Sequence, residues 1–222
     1  MPQRASRFAV HIATTDDDLR DACQVRLAGY GHHLGEVGAG FGQVDALDVA
    51  DGVAVLICRD EHTGQALGTV RIQTHVHQPL QVERCVILPH QITSSTRAEV
   101  TRLAVCPGVD ASVKLHLMKA VYDYCDEQGI EWLVICARSQ SLARTYRMLG
   151  FQDYLAPGQM VPLSYAGNMP HLVFTLNLPQ TRQHWRGAGH RLQQFMLAPS
   201  LLAKPHAPVH RPAVHPAAAQ AA

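Results

Sequence analysis

The sequence has no excess of charge of either sign. Its 222 residues include 19 lysines and arginines against 18 aspartates and glutamates, a formal net charge of +1. A protein that binds nucleic acid through its phosphates needs a basic excess to neutralise them. The composition therefore argues against nucleic acid as the partner.

Long apolar runs are also absent. The longest, such as Val53–Cys58 and Trp132–Ala137, have the length of strands, well below the ~20 residues that a membrane-spanning helix requires. The first twenty residues contain arginines but no apolar signal core. These features predict a cytoplasmic protein without a transmembrane segment.

Metal-binding motifs are missing from the cysteines and histidines. The six cysteines form no CxxC pair, and four of them lie in apolar stretches, where cysteine packs as a small hydrophobe. This pattern favours reduced, packed thiols over disulfides or zinc ligands. The fourteen histidines include no His-x3-His pair on a predicted helix, so we expect no metal site.

Alternating apolar residues and capping signals indicate a sequence of strands and helices. The predicted elements are strand Phe8–Thr14, a helix from Thr15 or Asp16 to about Tyr30, strands Val53–Arg59, Gly68–His75 and Glu99–Val105, helix Ala111–Gln128, strand Ile130–Ala137, a helix from Ser139 or Ser141 to Leu149, and strands Met160–Tyr165 and Leu172–Leu178. This β-α-β-β-β-α-β-α-β-β order favours an α/β fold, a mixed sheet with helices on both faces.

The length fits a single domain of this class, and we assign it to residues 1–180. Within it, the glycine-rich segment Gly31–Gly52 has no sustained period and is predicted to be a long, mobile loop. Residues 181–202 resemble an amphipathic helix, a candidate for peripheral membrane contact. Residues 203–222 are rich in proline, alanine and histidine, which predicts a mobile tail.

One stretch at the end of the predicted helix that reaches Leu149 carries a family resemblance. Ala143–Phe151 reads A-R-T-Y-R-M-L-G-F, with Tyr146 one turn before the capping residue Gly150. Together with the strand, Pro-Gly break, helix and strand that precede it, this segment resembles the GNAT acyltransferase superfamily. The resemblance implies a largely antiparallel mixed sheet and two splayed parallel strands that hold the pantetheine arm of an acyl thioester. It also implies that Tyr146 protonates the leaving thiolate.

The loop that binds pyrophosphate in this superfamily is altered here. Its usual R/Q-x-x-G-x-G/A pattern offers backbone N–H groups to the phosphates, whereas Cys106–Lys114 has one glycine and places Asp110 at the same point. This difference favours a donor with one phosphate, phosphopantetheine on an acyl carrier protein, over acyl-CoA. Val105, Ser112 and Lys114 are the candidate donor contacts, and no permanently bound cofactor is expected.

A second set of residues narrows the resemblance to two branches that use acyl carrier protein. The set comprises Arg26, Asp45, Asp48, G-T-V-R ending at Arg71, and E-V-T-R-L-A-V from Glu99 through Arg102 to Val105. In this order they look like the autoinducer synthases and the long-chain N-acyl amino acid synthases, over about residues 16–178. Pro79-Leu80-x-x-Glu83 and the turn Tyr165-Ala166-Gly167 look more like the amino acid synthases.

The chemistry of N-acylation gives these residues roles. The acceptor amine must be neutral, and Glu99 can take its proton directly or through a water. Arg71 or Arg102 can hold the carboxylate of an amino acid, while Asp45 and Asp48 orient those arginines or bind the ammonium group. Because Glu99 and Arg102 are three residues apart on one strand, a β-bulge must lie between them if both face one site.

A structural interpretation remains open beside the catalytic one. The charged residues of this set could simply form an ion-pair network that pins the glycine-rich loop to the sheet: Arg26, Asp45, Asp48, Arg71, Glu99 and Arg102. We predict an N-acyltransferase that moves a long-chain acyl group from acyl carrier protein to the α-amine of an amino acid. The alternatives are an acyl-homoserine lactone synthase, an acetyl-CoA-dependent acetyltransferase, and a relative that binds acyl carrier protein without turnover.

Overall fold

The computed structural model describes residues 7–34, 40–187 and 192–202. Within these ranges the strands are β1 (Phe8–Ile12), β2 (Val53–Asp60), β3 (Ala66–Thr74), β4 (Arg97–Val105), β5 (Trp132–Ala137), β6 (Gln152–Asp153), β7 (Val161–Leu163) and β8 (Met169–Asn177). The helices are α1 (Asp16–Leu34), α2 (His90–Thr93), α3 (Ser112–Glu127), α4 (Gln140–Met148), α5 (Leu178–Gly187) and α6 (Gln193–Met196). Short 3-10 helices span Gly40–Gly42, Ala46–Val49, Gln81–Arg84 and Ser164–Ala166.

The strands form one mixed sheet in the order β1-β2-β3-β4-β5-β8-β6, with β7 paired to β8. The β4–β5 pair is parallel and the other pairs are antiparallel. Alternate residues of β2 face opposite sides: Leu56 packs in the cluster that contains Leu117 of α3, and Ile57 packs with Leu19 and Ala22 of α1. The predicted fold class, a largely antiparallel sheet with helices on both faces, is confirmed.

The parallel strands β4 and β5 separate halfway along their length. Their pairing runs from Arg97 opposite Trp132 to Val100 opposite Ile135, although both strands continue beyond these residues. Beyond this point the two strands leave a gap in the middle of the sheet.

The predicted β-bulge lies in the same region of β4. The register between β3 and β4 shifts where Arg71 pairs with Thr101 and Thr69 pairs with Ala104. Arg102, in the extra segment, has a φ of 56°, a left-handed conformation that costs a non-glycine residue ~1 kcal/mol. The bulge turns the side chains that follow it. Glu99 and Arg102, three residues apart, are therefore not held to opposite faces of the sheet.

Several predicted boundaries were wrong. Helix α1 continues to Leu34 instead of ending near Tyr30, and a capped 3-10 helix, Ala46–Val49, interrupts the segment predicted to be a loop. The predicted strand Met160–Tyr165 is shorter, because the chain turns at residues 164–166 before Gly167, which has a φ of 68°. The two-residue strand β6 was missed, because nothing in so short a segment produces a period.

The glycines predicted to end helices α3 and α4 do so. Gly129, after α3, has a φ of 65°, and Gly150, after α4, has a φ of 97°, both in the region that glycine adopts without a steric penalty. All six cysteines are free thiols, and Cys23, Cys58 and Cys125 are buried, as expected for packed cysteines.

The C-terminal region contains two helices. The amphipathic stretch is two helices, α5 and α6, and α5 begins at Leu178, so it crosses the predicted domain boundary at residue 180. Trp185 is 1% exposed and packs edge-on against Tyr122, and Met196 is 2% exposed. These apolar side chains belong to the core cluster. The predicted tail, residues 203–222, lies outside the described residues.

No helix among the described residues combines the length and the apolar character needed to cross a bilayer.

Candidate active site

Two cavities meet where β4 and β5 separate. The first has a volume of about 530 Å³ and the second about 980 Å³. Tyr30, Leu103, Ser139 and Leu142 line both cavities and form their common wall. Two molecules bound in the two cavities would therefore lie next to each other.

The first cavity combines apolar walls with positive charge. Arg71, Arg102 and Arg138 line it, and no acidic residue does so among the described residues. Burial and the nearby charge of Arg138 lower the pKa of His171, another lining residue, although its bond to a backbone carbonyl opposes them. The cavity is thus suited to an anion, and a cation would find no carboxylate in its lining.

A network of buried ion pairs borders the first cavity. Arg26 on α1 forms two hydrogen bonds with Asp48, at 2.7 and 2.9 Å. Arg71 on β3 donates to both oxygens of Asp45 at 2.8 Å and to Asp48 at 3.3 Å. The network ties the 3-10 helix Ala46–Val49 to α1 and the sheet, so this part of the predicted mobile loop is anchored.

The network limits what Arg71 can bind. Its guanidinium also donates to Thr101 at 3.1 Å and to Gln81 at 3.3 Å, and the side chain is 1% exposed. Arg71 is therefore already occupied by side chains of the protein. The ion-pair interpretation describes Arg26, Asp48 and Arg71 well.

Arg102 is the more accessible arginine of the predicted pair. Its side chain is 19% exposed, lies 3.5 Å from Asp45, and stacks over the Phe41 ring at 4.2 Å. Burial and the charge of Arg71 lower the pKa of Arg102. Burial raises the pKa of Asp45, but Arg71 and Arg102 together hold it below its ordinary value. The carboxylate between them is ionised and keeps the two cations close.

Glu99 lies behind the wall of the first cavity. Tyr165 donates its hydroxyl proton to Glu99 Oε1 at 2.6 Å, and the Val82 N–H donates to Oε2 at 2.9 Å. Burial raises the pKa of Glu99, even though these bonds and Arg71 act to lower it. Tyr165 lines the cavity, whereas Glu99 is 1% exposed and does not.

The motif Pro79-Leu80-x-x-Glu83, which precedes β4, positions the Val82 N–H that donates to Glu99. In the 3-10 helix Gln81–Arg84, the Glu83 carboxylate accepts from the Leu80 N–H at 3.0 Å and from Arg97 Nε at 2.7 Å. These bonds fix the turn that presents the Val82 N–H to Glu99. Glu83 therefore has a supporting role one step away from the cavity.

Tyr146 extends from α4 into the wall of the first cavity. Its ring packs against Phe151 and Phe174 at centroid distances of 5.8 and 5.9 Å, and the residue is 1% exposed. Burial raises the pKa of Tyr146 well above its ordinary value. The residue therefore carries a neutral hydroxyl at the wall of the first cavity.

The second cavity contains the residues predicted to contact a phosphate. Val105, Ser112 and Lys114 line it, together with the Pro107–Gly108 turn. Asp110 Oδ1 accepts from the Ser112 N–H at 2.8 Å, and this bond lowers the pKa of Asp110. A carboxylate therefore occupies the N-terminus of α3, the place where a helix otherwise attracts phosphate.

Tyr165 is the residue whose contact was not predicted. It was noted only within the turn Tyr165-Ala166-Gly167, because no periodicity links it to Glu99, 66 residues earlier in the chain. The sequence did indicate the turn itself, through Gly167, which closes it in a left-handed conformation.

The splayed parallel pair, the bulge and the two cavities define a GNAT fold, as the sequence predicted. No protein-family model matches the chain, and a search of curated proteins finds no match. Among solved structures, the chain is similar to FeeM, an N-acyl amino acid synthase from uncultured soil microbes, with a TM-score of 0.62 and 18% identity over 85% of this chain and 98% of that one. It is also similar to BjaI, a CoA-dependent acyl-homoserine lactone synthase, with a TM-score of 0.61 and 18% identity over 88% of this chain and 92% of that one.

The likeness extends to acetyltransferases with the same fold. The ribosomal-protein-S18-alanine N-acetyltransferase from Escherichia coli matches with a TM-score of 0.51 and 14% identity, over 77% of this chain and 94% of that one. At these identities the comparisons establish the fold. The chemistry must be argued from the site.

Proposed function

We propose that the chain is an N-acyltransferase that moves a long-chain acyl group from acyl carrier protein to the α-amine of an amino acid. The observation that carries the proposal is the meeting of two cavities at the splayed strands, one of them arginine-lined with a buried carboxylate–tyrosine pair in its wall. An amine and a thioester bound in the two cavities would meet at their common wall.

The charge of the first cavity supports an amino acid as the acceptor. An amino acid keeps its carboxylate after N-acylation, so the product carries a net negative charge. Arg102 and Arg138 line the cavity, and no acidic residue does so among the described residues, although Arg102 lies 3.5 Å from Asp45 outside the lining. A guanidinium binds a carboxylate through two parallel hydrogen bonds. Because Arg71 is already occupied, the role of holding the carboxylate goes to Arg102.

The same charge disfavours the lactone alternative. S-adenosylmethionine carries a sulfonium cation, and lactone closure removes the carboxylate that an arginine would hold. Neither change suits a cavity lined by cations. The lactone reaction is therefore an outcome for the experiment to exclude.

The second cavity supports acyl carrier protein as the donor. Its phosphate-facing loop has Asp110 bonded to the first N–H of α3, and an anion there opposes the several phosphate charges of CoA more than the single phosphate of phosphopantetheine. Ser112 and Lys114 line the same cavity and are the proposed partners of that phosphate. Val105, on β4, is the proposed contact of the pantetheine arm.

The proposed chemistry uses two groups, a base and an acid. Glu99 receives the proton of the acceptor ammonium, which frees the amine lone pair to attack the thioester carbonyl. As the tetrahedral intermediate collapses, the C–S bond breaks and the leaving thiolate takes the Tyr146 hydroxyl proton. The proton that the nitrogen loses on becoming an amide returns Tyr146 to its neutral form. The raised pKa of Glu99 brings this carboxylate closer to the operating pH, as a general base requires.

A test in cells follows from the charge of the product. The full-length protein and its Glu99→Gln variant would be overexpressed in parallel, and organic extracts of both cultures would be compared by negative-ion mass spectrometry. We expect acidic N-acyl amino acids only with the wild-type protein. New neutral lactones, or identical extracts from both cultures, would contradict the proposal.

A further inference from the structure

The Tyr165 hydroxyl separates Glu99 from the first cavity. Glu99 is buried and absent from the lining, and one of its oxygens is bonded to Tyr165 at 2.6 Å while the other is bonded to the Val82 N–H. An amine in the cavity therefore meets the tyrosine oxygen before it meets the carboxylate. Direct transfer to Glu99 would require the tyrosine to move away.

The direction of the hydrogen bond between Tyr165 and Glu99 determines whether the tyrosine oxygen can accept a proton. Because its proton points at a carboxylate that only accepts, the tyrosine oxygen keeps lone pairs that can accept a hydrogen bond. Its other described polar neighbour is the Cys136 sulfur, 4.0 Å away. Burial and the negative charge of Glu99 raise the pKa of Tyr165, so this residue does not act as a standing phenolate. It is set up to receive one proton while it gives up another.

We propose that Tyr165 is a further catalytic residue that carries the proton from the acceptor amine to Glu99. This inference rests on the proposed function. The ammonium N–H bond breaks as the proton bonds to Tyr165 Oη, and the original hydroxyl proton passes to Glu99 Oε1. Tyr165 ends neutral, Glu99 becomes a neutral acid, and the amine regains the lone pair that attacks the thioester.

Gln73 gives a second reason to expect a proton on Glu99. It lies directly opposite Glu99 in the β3–β4 pairing, where Cβ atoms are typically ~4.5–5.5 Å apart. Its amide donates to the Pro79 carbonyl at 3.0 Å, but its Oε1 is buried and has no donor among the described residues. A neutral carboxyl carries a donor that a carboxylate lacks, so protonation gives the residue paired with Gln73 a donor that it otherwise lacks.

The test removes the hydroxyl and keeps the ring. Tyr165→Phe would be compared with Tyr154→Phe, which removes a hydroxyl that donates to the Ile87 carbonyl and is absent from both cavity linings. The kcat and KM of acyl transfer would be measured from neutral to alkaline pH. The titratable groups facing Glu99 are Arg71, Cys136 and Tyr165 itself. A thermal melt of each variant at each pH would show whether a change in activity comes from unfolding.

For Tyr165→Phe we expect kcat to fall ~100-fold or more near neutral pH, with the KM of the donor unchanged. The loss should shrink as pH rises, because solvent then supplies the amine already neutral, and Tyr154→Phe should match wild type. Wild-type activity in Tyr165→Phe, or an equal loss at every pH, would overturn the inference and leave the proposed function standing. A wild-type protein that acylates no amine would overturn both.

Discussion

Arg26 and Asp48 form a two-pronged ion pair between α1 and the 3-10 helix that follows Asp45, at 2.7 and 2.9 Å and with both side chains almost fully buried. Removing one partner of such a pair leaves an uncompensated charge in the interior, which typically costs about 3–5 kcal/mol. The pair therefore supports the wall of the first cavity as well as the fold.

We accordingly expect Asp48→Ala to lower the free energy of unfolding by ~3–5 kcal/mol. The exposed pair between Arg20 and Asp17 provides the control, since Asp17→Ala should change stability by less than ~1 kcal/mol. Urea denaturation of both variants measures the difference. Equal, small losses would mean that Arg26 finds a replacement partner or water.

The base can be tested by a shape-conserving change. Glu99→Gln keeps the size of the side chain but cannot accept the proton, so kcat should fall ~10²–10⁴-fold with the fold retained. Raising the pH should restore part of the activity, because the amine then reaches the site neutral. Glu127→Gln, at the exposed end of α3, is the matched control. A Glu99→Gln enzyme as active as wild type near neutral pH would place the base elsewhere.

The raised pKa of Glu99 also predicts a pH dependence for the wild-type enzyme. The base acts only when ionised, so kcat should fall as the pH drops through a value above the ordinary glutamate pKa. For stability the sign is opposite: a carboxyl with a raised folded-state pKa favours the folded state most at low pH, and this contribution is lost as pH rises through that pKa. Melting curves of wild type and Glu99→Gln should therefore diverge in favour of the variant as pH increases.

Donor choice can be tested at Asp110. Asp110→Asn keeps an oxygen that caps the Ser112 N–H but removes the negative charge. We expect kcat/KM for acyl-CoA to rise about fivefold, the equivalent of ~1 kcal/mol of lost repulsion, with a smaller change for acyl carrier protein. Asp51→Asn, exposed and outside both cavity linings, is the control. An unchanged ratio of kcat/KM for acyl-CoA to kcat/KM for acyl carrier protein would mean that Asp110 does not determine the choice of donor.

Close packing of α1 against β4 gives a prediction at a glycine. A Cβ on Gly29 would lie 2.8 Å from the Val105 carbonyl oxygen, so Gly29→Ala must push the helix away from the splayed strand, at a cost of ~1–3 kcal/mol. Gly31, two residues later in the same helix, has no atom within 4 Å of such a Cβ, and Gly31→Ala should stabilise the protein by ~0.5–1 kcal/mol. Thermal melts that move in the same direction for both variants would contradict this account.

The sequence predicted the parts of the fold that depend on local patterns. The ends of the long helices at Gly129 and Gly150 were readable because glycine alone adopts those backbone angles freely. The three-residue spacing of Glu99 and Arg102 required a bulge, and the bulge is present. These features follow from residues close together in the chain.

Long-range contacts could not be predicted in the same way. The bond between Tyr165 and Glu99 joins two elements 66 residues apart, and no periodicity encodes it. The occupation of Arg71 depends on where a glycine-rich segment folds back onto the sheet. The burial of Trp185 depends on α5 packing over Tyr122, whereas the sequence alone predicted an amphipathic helix over residues 181–202 without saying what its apolar face contacts.

The most direct test of the account is acyl transfer by the purified protein. A long-chain acyl group on acyl carrier protein, and separately on CoA, would be mixed with an equimolar set of amino acids, their amides and S-adenosylmethionine, with products identified by mass. The account predicts N-acyl amino acids with free carboxylates, formed faster from acyl carrier protein than from CoA. Acylation of the amides in preference to the acids, a lactone as the product, or no transfer from either donor would contradict it.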